Sequence, residues 1–152
     1  MTPLSTRELD LLGAARRAVL ATTARDGSAR LVPIAFVIAD AHGEDDLVLY
    51  SALDEKPKSV ADPRDLARVR DIEERPGVVV LVDVWSEDWA ALGWIRLLGK
   101  ARLVGPDEEP TEHSRAVSLL RAKYVQYANH RLERRPMIRV QIERATSWFA
   151  SP

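Results

Sequence analysis

Apolar residues recur with the two-residue period of β-strands in segments 93–104 and 137–143 of this chain, and shorter apolar runs elsewhere predict further strands. Pro33 lies inside the second of six predicted strands, and because proline cannot donate to a ladder we expect an edge strand or a bulge there. The fourth strand is an apolar run interrupted only by Asp83, which predicts a central strand covered on both faces. The six predicted strands span residues 18–23, 31–38, 47–50, 78–84, 93–104 and 137–143.

Three other segments carry the signals of helices. A capping box of Ser5 and Glu8 starts the first helix at Thr6, and its apolar residues Leu9 and Leu12 are expected to face inward. Asp62 caps the second helix, and the third spans residues 112–129. The residues expected to face inward are Leu66, Val69 and Ile72 in the second helix, and Val117, Leu120, Tyr124 and Tyr127 in the third.

The order of these elements indicates the class of fold. Their spacing is hairpin-like and contains no repeated βαβ unit, which favours an antiparallel barrel or half-barrel with helices on its outside. We therefore predict a mainly β (α+β) protein. Residues 1–152 show no linker, internal repeat or low-complexity tract, so we expect a single domain.

Composition excludes several classes of function. The formal net charge is -1, so no basic field predicts binding to nucleic acid or to an anionic membrane. The absence of cysteine removes disulfides and thiolate chemistry. No long apolar run indicates a leader or a membrane span, and we expect a cytoplasmic protein. The histidines are separate in sequence and are expected at the surface, without a metal: His42, His113 and His130.

No constellation of side chains indicates acid–base or nucleophilic catalysis. The chain has no glycine-rich phosphate loop and no nucleophile elbow. We therefore predict no catalytic side chain. If the protein is an enzyme, a cofactor must carry the reaction.

The segment 47–58 is the best candidate for binding an anion. An apolar strand leads into the hydroxyl of Ser51 and then into two lysines, Lys56 and Lys58, separated by Pro57. A hydroxyl and two ammonium groups after a strand suit a phosphate group. The alternative is that both lysines are ordinary solvated loop residues.

Three ordered parts of the sequence resemble the pyridoxamine 5'-phosphate oxidase-like (split-barrel, FMN-binding) superfamily, and within it the F420-dependent actinobacterial branch. The first is 18–23 with Asp26-Gly27 and 31–33; the second is Tyr50-Ser51 with 56–58, residues 66–72 and Arg75-Pro76; the third is 80–83 with 94–101. The resemblance covers about residues 10–145. It implies an antiparallel six-stranded split β-barrel with flanking helices.

The resemblance also implies a homodimer that binds its cofactor in a groove between the subunits. Lys56 and Lys58 would hold the phosphate, and Tyr50 and Ser51 would contact the ribityl chain or the ring edge. The backbone around Val32, Pro33 and Ile34 would meet the ring. Pyridoxamine-phosphate oxidases proper place an arginine beside the phosphate-binding lysine, whereas both positions are lysine here.

Two further groups of residues are candidates for the same site. Arg64, Arg68 and Arg70 would suit the polyglutamate tail of F420; alternatively, they lie on an exposed helix face and pair with Asp65, Asp71 and Glu74. Trp94, Arg96 and Lys100 would form a floor for a ring or a substrate, or would belong to a dimer interface. Trp85 and Trp89 are expected to be packing or lid residues.

The function implied is an F420-dependent oxidoreductase that transfers a hydride between reduced deazaflavin and a small organic acceptor. The alternatives are an FMN-dependent oxidase or reductase on the same fold, or a non-catalytic protein that binds a flavin or deazaflavin.

Overall fold

The computed structural model describes residues 2–40, 46–54 and 62–152. This part of the chain forms one antiparallel sheet of seven strands in the order β2-β1-β5-β6-β7-β4-β3. Inward-facing residues of its strands pack in one barrel core, and the sheet curves into an open barrel in which β2 and β3 are the two edge strands. The strands are β1 (Ala18–Thr23), β2 (Ala29–Ile34), β3 (Val37–Asp40), β4 (Leu47–Ala52), β5 (Gly77–Val84), β6 (Gly93–Val104) and β7 (Met137–Phe149).

The predicted count of six strands was wrong by one, because the segment 31–38 forms parts of two strands, β2 and β3. The chain leaves the ladder at Phe36, whose ring is fully buried in the barrel. Its backbone N–H donates to the hydroxyl of Tyr124 at 3.0 Å instead of to a neighbouring strand. Pro33 lies on β2, which is an edge strand as predicted.

Strand β5 is central but is not covered on both faces, which corrects the prediction. Val78, Val80 and Val82 are buried in the barrel, whereas Leu81 is 39% exposed on the outer face. Strand β4 is the one covered on both faces, and all six of its residues are buried. The reason is that the helical segments pack over the sheet beside β4 and leave the outer face of β5 open.

Helix α1 (Thr6–Ala14) begins at the predicted capping box. The hydroxyl of Ser5 accepts from the backbone N–H of Glu8, and the Glu8 carboxylate accepts from the backbone N–H of Ser5. The prediction for Leu9 was wrong, because Leu9 is 45% exposed while Leu11 and Leu12 are buried.

The second predicted helix is a 3-10 turn (Pro63–Asp65) followed by α2 (Ala67–Glu74). Leu66, Val69 and Ile72 are buried in the barrel core, as predicted. The third is α3 (Pro110–Lys123) followed by a 3-10 segment (Val125–Asn129). Together with β3, β4 and Met137 it encloses a second core that contains Val117, Leu120 and Tyr127. No helix in the described part of the chain is long and apolar enough to cross a membrane.

Candidate cofactor site

Tyr50 and Ser51 lie near the end of β4, and both are almost fully buried. Tyr50 belongs to the core beneath α3, whereas its neighbour Leu49 belongs to the barrel core. Because successive side chains of a strand point to opposite faces, Ser51 lies on the barrel side. The structure therefore does not bring these two predicted contacts together on one face. Lys56 and Lys58, the predicted phosphate ligands, lie outside the described residues.

The hydroxyl of Tyr50 is engaged by α3. It donates to Glu112 at 2.6 Å, and the same carboxylate oxygen accepts from Arg139 Nε at 2.6 Å. Burial raises the pKa of Tyr50 to about 12, and the hydrogen bond to Glu112 acts in the same direction. Burial favours the neutral form of Glu112, but the hydrogen bonds from Tyr50 and Arg139 outweigh it and lower the pKa of that carboxyl. Tyr50 is therefore a neutral hydrogen-bond donor that fixes β4 to α3.

Arg68 carries a buried side-chain nitrogen that has no hydrogen-bond partner among the described residues. It lies at the start of α2, between the buried anchors Leu66 and Val69, and its Nε is buried with no hydrogen-bond partner among the described residues. Burial lowers the pKa of this guanidinium, although the carboxylate of Asp54 opposes the shift. A buried charge without hydrogen bonds is costly, so an anion that reached Arg68 would be bound favourably.

Asp54 joins the end of β4 to this region. Its side chain is buried, and it accepts a hydrogen bond from the hydroxyl of Tyr127 at 2.6 Å. Burial raises the pKa of Tyr127, so this hydroxyl stays protonated as the donor. The end of β4, the start of α2 and the segment after α3 thus meet around Asp54 and Arg68.

The other two arginines of the α2 region behave differently from Arg68. Arg64 approaches Glu108 at 3.7 Å, and Arg70 approaches Asp65 at 3.9 Å. Both pairs are exposed and loose, which agrees with the interpretation of a solvated helix face for these two arginines. The predicted pairing of the three arginines with Asp71 and Glu74 was wrong: those carboxylates are bound by Arg25, Arg30 and Arg75.

Asp71 is a positioning residue that the sequence did not indicate. Its buried carboxylate accepts hydrogen bonds of 2.7 Å from both Thr22 and Arg30, and it therefore holds α2 against β1 and β2. Burial opposes ionisation, but the hydrogen bonds from Arg30 and Thr22 prevail and lower the pKa of Asp71. One signal for this role was available in the sequence: Asp71 is an acidic residue next to the inward-facing Ile72.

Strand β2 carries the residues predicted to contact the ring. Pro33 is exposed at the sheet edge, Val32 is half-buried and Ile34 is 8% exposed. Because Arg30 of the same strand is bonded to Asp71, β2 lies beside α2, which also carries Arg68. The ring contact of these three residues stays a prediction.

Trp94 lies on the open outer face of the sheet. Its ring is half-buried, and the guanidinium of Arg96 lies 5.4 Å from the ring centroid. Trp85 and Trp148 line the same pocket of about 340 Å³. Lys100 lines a neighbouring groove of about 650 Å³ on this face. Trp85 and Trp89 are 68% and 67% exposed, so neither ring is packed within the described chain.

One of the three histidines contradicts the prediction of surface positions. His113 is 3% exposed, because it lies on the inner side of α3, where its Nε2 is 2.6 Å from the carbonyl oxygen of Arg135. The ring of His130 packs edge-on against Tyr127. His42 lies outside the described residues. No group of three potential metal ligands occurs in the parts that the structure describes.

The fold is an antiparallel barrel with helices on its outside, which is typical of a split-barrel protein. A guanidinium whose buried nitrogen is unpartnered among the described residues lies beside the end of β4. The family model described as pyridoxamine 5'-phosphate oxidase matches residues 6–149. The chain therefore belongs to the pyridoxamine 5'-phosphate oxidase family, whose fold binds flavins and whose members include oxidoreductases. No curated protein matches the sequence.

Solved structures agree on the fold. A conserved hypothetical protein from Mycobacterium tuberculosis is 18% identical, with a TM-score of 0.71 over 97% of this chain and 86% of that chain. A FAD-binding protein from Mesorhizobium loti is 20% identical, with a TM-score of 0.59 over 95% of this chain and 94% of that chain. The heme storage protein HutZ from Vibrio cholerae is 12% identical, with a TM-score of 0.64 over 97% of this chain and 95% of that chain. At these identities the likeness shows the split-barrel fold alone.

Proposed function

We propose that this protein is an F420-dependent oxidoreductase that transfers a hydride between reduced deazaflavin and a small organic acceptor. The observation that carries the proposal is Arg68, whose buried Nε has no hydrogen-bond partner among the described residues. The phosphate of a flavin-type cofactor would provide that partner and a further negative charge. Lys56 and Lys58, two and four residues beyond Asp54, are the further ligands we assign to this phosphate.

The chain's own residues bind and orient the cofactor in this proposal. Arg68 and the two lysines hold the phosphate end, Ser51 contacts the ribityl chain, and the edge around Pro33 meets the ring. A bound deazaflavin supplies the hydride, so no side chain of the protein needs to transfer a proton. This division of labour agrees with the absence of a catalytic constellation in the sequence.

The choice of F420 over FMN rests on the additional arginines near α2. Arg64 and Arg70 form only long, exposed ion pairs, which contribute little and exchange partners readily. A polyglutamate tail would offer them carboxylates, whereas FMN has no such tail. FMN is the alternative cofactor, and the FAD-binding protein of the same fold supports a flavin as the second candidate.

We also propose that the protein works as a homodimer with the cofactor between the subunits. The open face of the sheet exposes large apolar side chains, among them Leu31, Leu81 and Trp148. Exposed apolar patches of this kind mark interaction surfaces. The pocket beside Trp94 would then receive groups from the partner subunit.

The test is a titration of purified protein with F420 and with FMN, followed by fluorescence. The Arg68→Met variant should bind F420 at least about tenfold more weakly, since a hydrogen bond to a charged group contributes on the order of 1.5–3 kcal/mol. Arg134→Met, an exposed arginine in the turn Leu132–Arg134, is the matched control and should bind normally. Tight FMN binding without F420 binding would assign the flavin alternative. Binding of neither cofactor would refute the proposal.

Bound F420 must also turn over for the protein to be an enzyme. We expect reduced F420 on the protein to be oxidised by at least one member of a panel of small acceptors, measured by the return of F420 absorbance. Stable binding without turnover would instead identify a cofactor carrier.

A further inference from the structure

A second groove lies on the opposite side of the molecule from the open face of the sheet. Its walls are α1 and α3 and its floor is the edge strand β3, and it encloses about 630 Å³. That volume is within the range of roughly 300–1,000 Å³ that small-molecule sites occupy. Its lining is mainly apolar and includes Leu9, Leu12, Ile38, Leu47, Leu119 and Ala122.

Lys123, in the last turn of α3, provides a positive charge on the wall of this groove. Its Nζ lies 3.9 Å from the centroid of the Phe36 ring and donates to the carbonyl oxygen of Leu12 at 3.3 Å. It forms no ion pair with any residue that the structure describes. The neighbouring cation Arg16, which donates to the backbone carbonyl of Lys123 at 2.8 Å, adds positive charge rather than balancing it.

Burial and the nearby charge of Arg16 lower the pKa of Lys123 to about 8. Two other charged residues line the groove, Arg115 and Asp40, and Asp40 is exposed at the end of β3. The ammonium group of Lys123 is thus half-buried at the boundary of an apolar groove, and no described carboxylate forms an ion pair with it. Such a group favours an anion, because the anion would both pair with it and restore its pKa.

We propose that this groove binds an amphipathic carboxylate, with the carboxylate head on Lys123 and the hydrocarbon body along Leu119 and Ile38. The groove and such a ligand are complementary in charge and polarity, because a cation that has no ion pair among the described residues adjoins a groove of apolar side chains. The site is separate from the proposed cofactor site, since the groove contains none of the residues assigned to the cofactor. Its ligand class is therefore independent of whether F420 or FMN binds.

The experiment is isothermal titration calorimetry of the full chain, without cofactor, with dodecanoate at pH 8. Dodecanol and dodecyltrimethylammonium serve as neutral and cationic probes of the same length. We expect saturable binding of dodecanoate at one site per chain and at least about tenfold weaker binding of both controls. Equal binding of dodecanol would show that Lys123 does not select the head group and would overturn the proposal.

Variants assign the head group to Lys123. Lys123→Met should weaken dodecanoate binding about tenfold or more, whereas Lys100→Met, the same change on the open face of the sheet, should leave it unchanged. If Arg115→Met weakens binding and Lys123→Met does not, the assignment is wrong. Because Lys123 also bonds the end of α1, Leu119→Glu provides a second variant. Its carboxylate should repel the ligand from the groove without removing that bond.

Proton uptake distinguishes pairing with Lys123 from adhesion to an apolar surface. The pKa of Lys123 is about 8, so part of these side chains are neutral at pH 8, and pairing with a carboxylate that raises this pKa should make the complex take up a fraction of a proton per site. Titrations in two buffers of different ionisation enthalpy measure this uptake. Lys123→Met should abolish it. If the wild-type protein takes up no proton, the proposal is contradicted. If dodecanoate dissociates a dimer, the proposal is also contradicted, and the groove is assigned to another copy of the chain.

Discussion

Asp71 connects three elements through one buried carboxylate. It accepts from Thr22 of β1 and from Arg30 of β2, and it lies 3.6 Å from a guanidinium nitrogen of Arg75 beyond α2. The partner arginines are partly exposed, so water weakens their ionic attraction and the hydrogen bonds matter most. We infer that this residue fixes the position of α2, and therefore of Arg68, relative to β2.

Replacing Asp71 by Asn should lower the free energy of unfolding by about 1–3 kcal/mol at pH 7, because buried hydrogen bonds to a charged group are lost. The pKa of Asp71 is lowered in the folded protein, so its contribution is present in full above the unfolded pKa and is lost as pH falls through the folded pKa. The difference between wild type and variant should therefore shrink below about pH 4.

Urea unfolding at pH 7 and at pH 3 measures this difference. The exposed Asp107→Asn serves as the control and should change stability by less than about 0.5 kcal/mol. A difference for Asp71→Asn that stayed constant across this pH range would show that its carboxylate charge is not what stabilises the fold.

At the scale of elements, the sequence predicted what short-range chemistry determines. The capping box at Ser5 started α1 at Thr6, and the alternation along 93–104 gave both ends of β6. The errors came from contacts between distant parts of the chain. Tyr124 holds Phe36 out of the ladder across 88 positions, and the packing of α1 turns Leu11 rather than Leu9 inward.

The candidate site shows the same difference between what local sequence predicts and what long-range contacts determine. The sequence offered Arg68, together with Arg64 and Arg70, as a candidate for the polyglutamate tail of F420, but the local pattern equally allowed an exposed helix face for all three. Helix periodicity alone does not show which of these arginines is buried. Arg68 differs from Arg64 and Arg70 because of the way α2 packs against the barrel. The positioning role of Asp71 depends on Thr22 and Arg30, which are 49 and 41 positions away in the sequence.

The junction of β6 and β7 provides a test of strand packing. The register shifts between Leu98 and Gly99, and a Cβ added to Gly99 would lie 2.2 Å from the carbonyl oxygen of Gln141. Because the clash is with backbone, Gly99→Ala should cost about 1–3 kcal/mol in the free energy of unfolding. Gly77→Ala is the matched control, since its nearest new neighbour is the flexible Lys100 Nζ at 3.7 Å. Thermal unfolding of both variants checks this, and equal stabilities would contradict the close approach.

At the scale of the whole molecule, the two outer faces of the barrel differ. α3 and the segments after it cover β3 and β4, whereas α1 and α2 meet β1, β5 and β6 in the barrel core and leave outward-facing residues such as Leu81 exposed. The exposed tryptophans Trp85, Trp89 and Trp148 belong to this side or to its rim. Leaving several large apolar rings in water is unfavourable, which is the physical reason to expect a second subunit there.

Leu81 lies on the outer face of central strand β5 and is 39% exposed, so Leu81→Glu places a charge in the middle of the expected interface. We expect the variant to be monomeric by analytical ultracentrifugation at concentrations where wild type is dimeric, because burying an unpaired carboxylate opposes association. It should also bind the cofactor more weakly, since half of the proposed site comes from the partner subunit. Val125→Glu is the matched control: Val125 is 85% exposed in the segment after α3, away from this face. If Leu81→Glu stayed dimeric while Val125→Glu became monomeric, the helical face would be the interface, and the open sheet would need another occupant.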